Sequence, residues 1–177
     1  MKKVLVVVDM QKDFVDGALG SPAAEAIVPA AAEKIRAFDG DAVLVTLDTH
    51  DENYLQTLEG QKLPVPHCIK GTPGHALNGD IQAALAGKNC ISVEKHTFGS
   101  FDVLKILAEK YPEEAPELEL FGLCTDICVI SNALLLRAAF PNAKITVDAR
   151  CCAGVTEERH RAALTAMQCC QIDVVEG

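Results

Sequence analysis

Short β-branched runs alternate with longer helical stretches along this chain, and that alternation most constrains its fold. Val4–Val8, Ala42–Leu47, Leu118–Leu123, Lys144–Val147 and Ile172–Val175 are compact apolar runs, and Ile91–Val93 begins another. Between them lie stretches with helical spacing. Ala23–Phe38 carries Ile27, Ala31 and Ile35 on one side, and Phe101–Lys110 carries Phe101, Leu104 and Ala108. Val129–Phe140 and Thr156–Gln168 follow, the latter opened by Thr156 with Glu158 and Arg159 facing water. Strands of four to seven apolar residues spaced by helices predict a parallel sheet covered on both faces. Six such strands fit the 177 residues. The expected fold is therefore three-layer α/β/α, doubly wound, with a mainly parallel six-stranded sheet in one domain spanning 1–177. The stretch from Asp48 to Gly79 breaks the pattern: it holds four glycines and three prolines and no clean period. An irregular segment of that length is uncommon in a compact domain and is often functional.

Composition narrows the function. Lysine plus arginine is 16 against 25 aspartate plus glutamate, a net charge of −9 with no basic block. That disfavours nucleic acid and anionic membranes as partners. The apolar run after Met1-Lys2-Lys3 stops at Asp9, too soon for a secretory signal, and no run approaches a membrane span. The chain is expected in the cytoplasm. Its eight cysteines, Cys68, Cys90, Cys124, Cys128, Cys151, Cys152, Cys169 and Cys170, include no CxxC pair and are expected to be reduced, most of them serving as small buried hydrophobes.

In open α/β sheets ligands bind beyond the carboxyl ends of the strands. Asp9 ends the first run, Asp48 the second and Glu94-Lys95 the third, and Cys124-Thr125-Asp126-Ile127-Cys128 follows the fourth. Each alone has an ordinary explanation: a turn, a solvated lysine, a core cysteine. Together, Asp, Lys and Cys at one edge are the parts of an activated thiol nucleophile. Thr125 or Asp126 can cap the helix through Val129–Phe140, which sets Cys128 in its first turn. Free N–H groups, the helix dipole and the Lys95 ammonium would there favour a thiolate, with Asp9 exchanging the proton. Cys124 is the competing nucleophile, less favoured because it precedes the helix. A second cluster, Asp48, His50 and His67, has the residue types of a zinc, iron or manganese site, with Glu52, Glu59 and His75 as further candidates. Solvated loop histidines are the alternative.

These residues resemble a family. Asp9-Met10-Gln11-Lys12-Asp13-Phe14 is similar to the opening motif of the isochorismatase-like cysteine hydrolases. Asp48-Thr49-His50, Pro66-His67-Cys68 and Gly71-Thr72-Pro73-Gly74 resemble the metal segment of the nicotinamidases in that family. Lys95-His96-Thr97-Phe98 resembles the lysine segment, and Gly122–Val129 the nucleophile motif. Asp148-Ala149, then Glu158, His160, Ala163 and Leu164, resemble the C-terminal pattern. The motifs cover nearly the whole chain in order.

The resemblance implies a catalytic triad of Asp9, Lys95 and Cys128, and a cis peptide at Leu123-Cys124 that turns the Cys124 N–H toward the Cys128 N–H as an oxyanion hole. It implies one divalent metal ion, zinc first and iron or manganese next, on Asp48, His50 and His67, with Glu59 as the candidate fourth ligand. Phe14 and Cys124 would contact the substrate, Phe14 packing on its ring. Gln11 and Asp13 would orient Asp9 or bond the loop; Glu158 and His160 would serve the helix and its packing, and Cys151-Cys152 and Cys169-Cys170 would be structural. The implied activity is hydrolysis of nicotinamide to nicotinate and ammonia through a cysteine thioester, in pyridine nucleotide salvage. One departure stands out: Pro64 occupies the place of a bulky aromatic in many nicotinamidases. The alternatives are another small amide or isochorismate as substrate, although isochorismate chemistry needs no thiol, and a non-enzymatic thiol redox or metal-binding module, which leaves Asp9 and Lys95 without a role. Self-association into a homo-oligomer is expected.

Overall fold

Val4–Val8 is buried on both faces and becomes a central strand, because a β-branched run with no polar alternation fits only a sheet covered on two sides. The structure, a computed structural model, describes residues 2–176. In chain order the elements are β1 (Lys3–Val8), α1 (Lys12–Val15), α2 (Pro22–Ala37), β2 (Ala42–Asp48), α3 (Leu58–Lys62), α4 (Gly79–Ala84), β3 (Cys90–Lys95), α5 (Phe101–Lys110), β4 (Glu117–Leu123), α6 (Ile130–Ala139), β5 (Ile145–Ala153), α7 (Glu157–Cys169) and β6 (Asp173–Val175). The sheet has six strands in the order β3-β2-β1-β4-β5-β6, and every pairing is parallel. The expected doubly wound architecture is the one observed. Helices α2 and α4 pack together on one face, and α5, α6 and α7 on the other.

Local chemistry sets the helix starts. Ser21 accepts a hydrogen bond from the Ala24 N–H, with Pro22 in the first turn of α2. Ser100 and Thr156 cap α5 and α7 in the same way. The small face of α2 (Ala24, Val28, Ala31, Ala32, Ile35) is buried, and Lys34 reaches past it to Glu119 at 2.6 Å and Asp148 at 2.8 Å.

Three expectations need correction. The buried face of α5 is Val103 and Leu107, while Phe101 is 68% exposed and Ala108 also faces solvent. The fifth strand runs on to Ala153, because β5 bulges: Leu120 pairs with Val147 but Gly122 pairs with Cys152. The polar Asp148 and Arg150 in that bulge interrupt the apolar run that would have marked the strand. Cys169 and Cys170 are exposed at the end of α7, so the core holds only Cys68, Cys128, Cys151 and Cys152. All eight cysteines are free thiols, as expected.

Candidate active site and metal cluster

The strand order reverses between β1 and β4, and the crevice at such a switch point is where parallel sheets bind ligands. Asp9 leaves β1 there with φ +48°, a left-handed conformation rare for aspartate. The β4 strand ends opposite it, and the chain turns through Cys124 into a π-helical turn, Thr125–Val129, that leads into α6. Lys95 pairs with Asp48 at the ends of β3 and β2. Its ammonium lies 2.7 Å from Asp9 Oδ2, 3.2 Å from Asp48 Oδ1 and 3.5 Å from Cys128 Sγ. Asp9, Lys95 and Cys128 are all buried, so the residues expected to form a triad meet in the interior.

The electrostatics depart from the sequence reading in one respect. Neither Thr125 nor Asp126 caps the helix: the Thr125 hydroxyl bonds His160 Nδ1 at 2.8 Å, and Asp126 accepts from the Val155 N–H. Burial dominates at Cys128 and pushes its thiol well above the usual range; Asp9 adds to this and Lys95 opposes it. Burial thus works against a standing thiolate and leaves Lys95 as the group that opposes it. Burial also raises Asp9, against the pull of Lys95. Lys95 stays an ammonium, because Asp9, Cys128 and Asp48 outweigh its own desolvation. Cys124, half-buried, is pushed up to about 12 by burial with help from Asp126 and Asp9.

On the far side of Asp48 sits the second cluster. One ligand atom from each of Asp48, His50, Glu59 and His67 lies within 4.8 Å of the others. Asp48 Oδ2 is 3.0 Å from His50 Nε2 and 3.5 Å from His67 Nε2. Glu59 Oε1 is 3.7 Å and 3.6 Å from the same two nitrogens. His67 Nδ1 donates to the Val65 carbonyl at 2.8 Å, which leaves Nε2 with a free lone pair. Two imidazoles and two carboxylates suit zinc, iron or manganese. Burial opposes ionisation of Asp48, but both histidines and Lys95 outweigh it and hold the carboxyl below the usual range. A parallel bridge between His50 and Ile69 brings the His67 segment alongside β2. Thr57 caps α3, setting Glu59 in its first turn.

Phe14 stands edge-on to His67 with ring centroids 5.4 Å apart. Tyr54, which sequence reasoning did not single out, packs edge-on to both histidines and anchors its hydroxyl on the Leu63 carbonyl. Glu52 is exposed outside the cluster, and His75 instead bonds the Thr49 hydroxyl at 2.9 Å. Gln11 spans the Asp48 backbone and the His75 carbonyl, and Asp13 accepts from the Cys68 N–H, so both tie loops rather than Asp9. The Leu123-Cys124 peptide is cis. Thr46 was also missed. It shares a strand face with Asp48, two residues on, and that period of two was the available signal.

Known proteins match this arrangement over its whole length. The isochorismatase domain profile matches residues 3–176. The chain is 35% identical over 176 residues to the uncharacterized isochorismatase family protein PncA of Bacillus subtilis, covering 93% of each. A crystal structure of nicotinamidase/pyrazinamidase PncA from Bacillus subtilis superposes with TM-score 0.88 at 30% identity, covering 99% of this chain and 100% of that one. A pyrazinamidase of Pyrococcus horikoshii in complex with zinc gives TM-score 0.82 at 26% identity, with both chains fully covered (100%). By the match of its sequence and fold, the chain belongs to the isochorismatase family.

Proposed function

We propose that this protein is a metal-containing cysteine amidohydrolase that converts nicotinamide to nicotinate and ammonia. The observation that carries the reading is the shared Lys95 ammonium, which touches Asp9, Cys128 and the Asp48 arm of the metal cluster at once. Nicotinamidase and pyrazinamidase relatives, one of them in complex with zinc, support it.

The thiol proton of Cys128 passes to Asp9 Oδ2 as Sγ attacks the carboxamide carbon. Lys95 balances the charge that remains on the thiolate and carboxylate pair. Backbone N–H groups of Cys124 and Cys128 receive the oxyanion. Collapse breaks the C–N bond, and Asp9 returns the proton to the leaving nitrogen as ammonia. Water then attacks the thioester, giving its proton to Asp9, which hands it back to the Cys128 sulfur as the acid leaves. Asp48, His50, His67 and Glu59 would hold the cation, which when bound supplies a Lewis acid beside the substrate. Phe14 packs against the substrate ring.

The test is ammonia release from nicotinamide with bound metal quantified on the same sample. Cys128→Ala is expected to abolish turnover while keeping the wild-type fold and metal; retained turnover would overturn the reading. Pro64, exposed where an aromatic wall would stand, favours one second reading, a different small amide. Metal without nicotinamide turnover, and activity on another primary amide, would establish it.

A further inference from the structure

Asp9 has two carboxylate oxygens in unlike surroundings. The Thr46 hydroxyl donates to Oδ1 at 2.6 Å, and that contact is fully buried. The same hydroxyl oxygen accepts from the Asp9 backbone N–H at 3.2 Å, which also reaches the Thr46 carbonyl at 3.2 Å. Thr46 therefore closes a ring over Asp9 at the point where the chain takes its left-handed turn out of β1. Strand register builds this in, since Val8 pairs with Thr46 and Asp9 is the next residue. The other oxygen, Oδ2, is buried and faces the Lys95 ammonium. Lys95 lies 2.7 Å from it as a charge contact and is also 3.5 Å from the Cys128 sulfur. A proton acceptor needs an open lone pair on the side of the acid it deprotonates.

We propose that Thr46 is a positioning residue: its hydroxyl saturates and fixes Oδ1, so that Oδ2 alone is presented toward Lys95 and Cys128. This rests on the reading of Asp9 as proton acceptor for the thiol. Thr46 touches no reacting atom and acts only through Asp9. Valine in its place keeps the β-branched shape that β2 prefers but removes the Thr46 donor on Oδ1. Serine keeps the donor and drops the methyl group, and alanine drops both.

The experiment compares Thr46→Val, Thr46→Ser and Thr46→Ala with wild type, each purified with its metal quantified and its melting curve recorded. Two readouts are taken: steady-state turnover of nicotinamide, and the rate of Cys128 alkylation by iodoacetamide followed by peptide mass mapping. Thr46→Val is expected to lower kcat roughly ten- to a hundredfold, the worth of a buried hydrogen bond to a charged acceptor, with KM within about twofold. Alkylation of Cys128 should slow in parallel, and serine should restore most of both rates. Wild-type kcat in Thr46→Val, or serine as impaired as alanine, would overturn the proposal, since shape rather than the hydroxyl would then matter. If Thr46→Val fails to fold, the serine and alanine pair isolates the hydroxyl. Should the wild type not turn over nicotinamide, the functional reading fails first. Alkylation needs no substrate and still decides the clamp, because equal Cys128 rates in the serine and alanine variants refute it.

Discussion

Gly122→Ala is expected to separate the two halves of the site. Gly122 sits in β4 with φ +134°, a backbone region almost reserved for glycine. It pairs with Val8 across the switch point. A Cβ at this position would stand 2.0 Å from the Val8 carbonyl oxygen, 2.8 Å from its carbonyl carbon and 2.9 Å from its nitrogen. All three atoms are main chain and none can rotate away. Reaching an ordinary contact of about 3.4 Å requires the strands to part by more than about 1 Å. The backbone conformation costs about 1–3 kcal/mol for a residue with a side chain, and weakening one or two ladder hydrogen bonds about 1 kcal/mol each. The sum, roughly 2–5 kcal/mol, is a large share of a domain's usual 5–15 kcal/mol. It should lower the melting temperature by about 4–20 °C for a chain of this length. The same displacement moves Asp9, next after Val8, relative to Cys128, and a misplacement of about 1 Å can cost on the order of a hundredfold in rate. Circular dichroism melts and ammonia release, normalised to folded protein, measure both. A variant that melts within a few degrees of wild type and keeps its turnover would refute the account of how β1 and β4 are held in register.

Two further outcomes follow from buried charges. Asp9 must be ionised to take a proton, and burial raises it, so the acid limb of kcat/KM should fall at a pH above the ordinary aspartate value of about 3.9; a limb at or below that value would contradict the assignment. Asp148, fully buried, accepts from Arg150 and pairs with Lys34 at 2.8 Å, and these outweigh its desolvation to depress its pKa. Its stabilising contribution is complete above the unfolded value of about 3.9 and lost as pH falls through the lower folded value. Asp148→Asn should cost about 1–3 kcal/mol near neutral pH in denaturant titrations and flatten the acid decline, and unchanged stability would count against it.

The sheet and the strand ends were legible because β-branched runs and the polar residues that stop them are properties of the sequence itself. Asp9, Asp48 and Lys95 sit where those runs stop, and the structure gathers them. Burial is what the sequence hid. Cys128 reads as a helix-terminus thiolate until its desolvation is known, and desolvation reverses the direction of its shift. Phe101 reads as a core residue on helical spacing, yet the sheet meets the Val103 and Leu107 face instead. Thr46 and Tyr54 look like ordinary residues of an apolar strand and a loop. Their roles come from partners distant in sequence, Asp9 and the two histidines, which only the tertiary structure supplies.

Asp48 divides its two oxygens, Oδ1 to Lys95 and Oδ2 to the histidine pair. On the proposed function, the nucleophile and the cation site would be linked through this one carboxylate. A double-mutant cycle between His67 and Lys95 should not be additive, although the two side chains belong to different clusters. Occupancy of the cation site should register in the reactivity of Cys128 even before any substrate is added. Removing the cation should therefore change how fast Cys128 reacts, while removing the Cys128 thiol leaves the cation ligands in place.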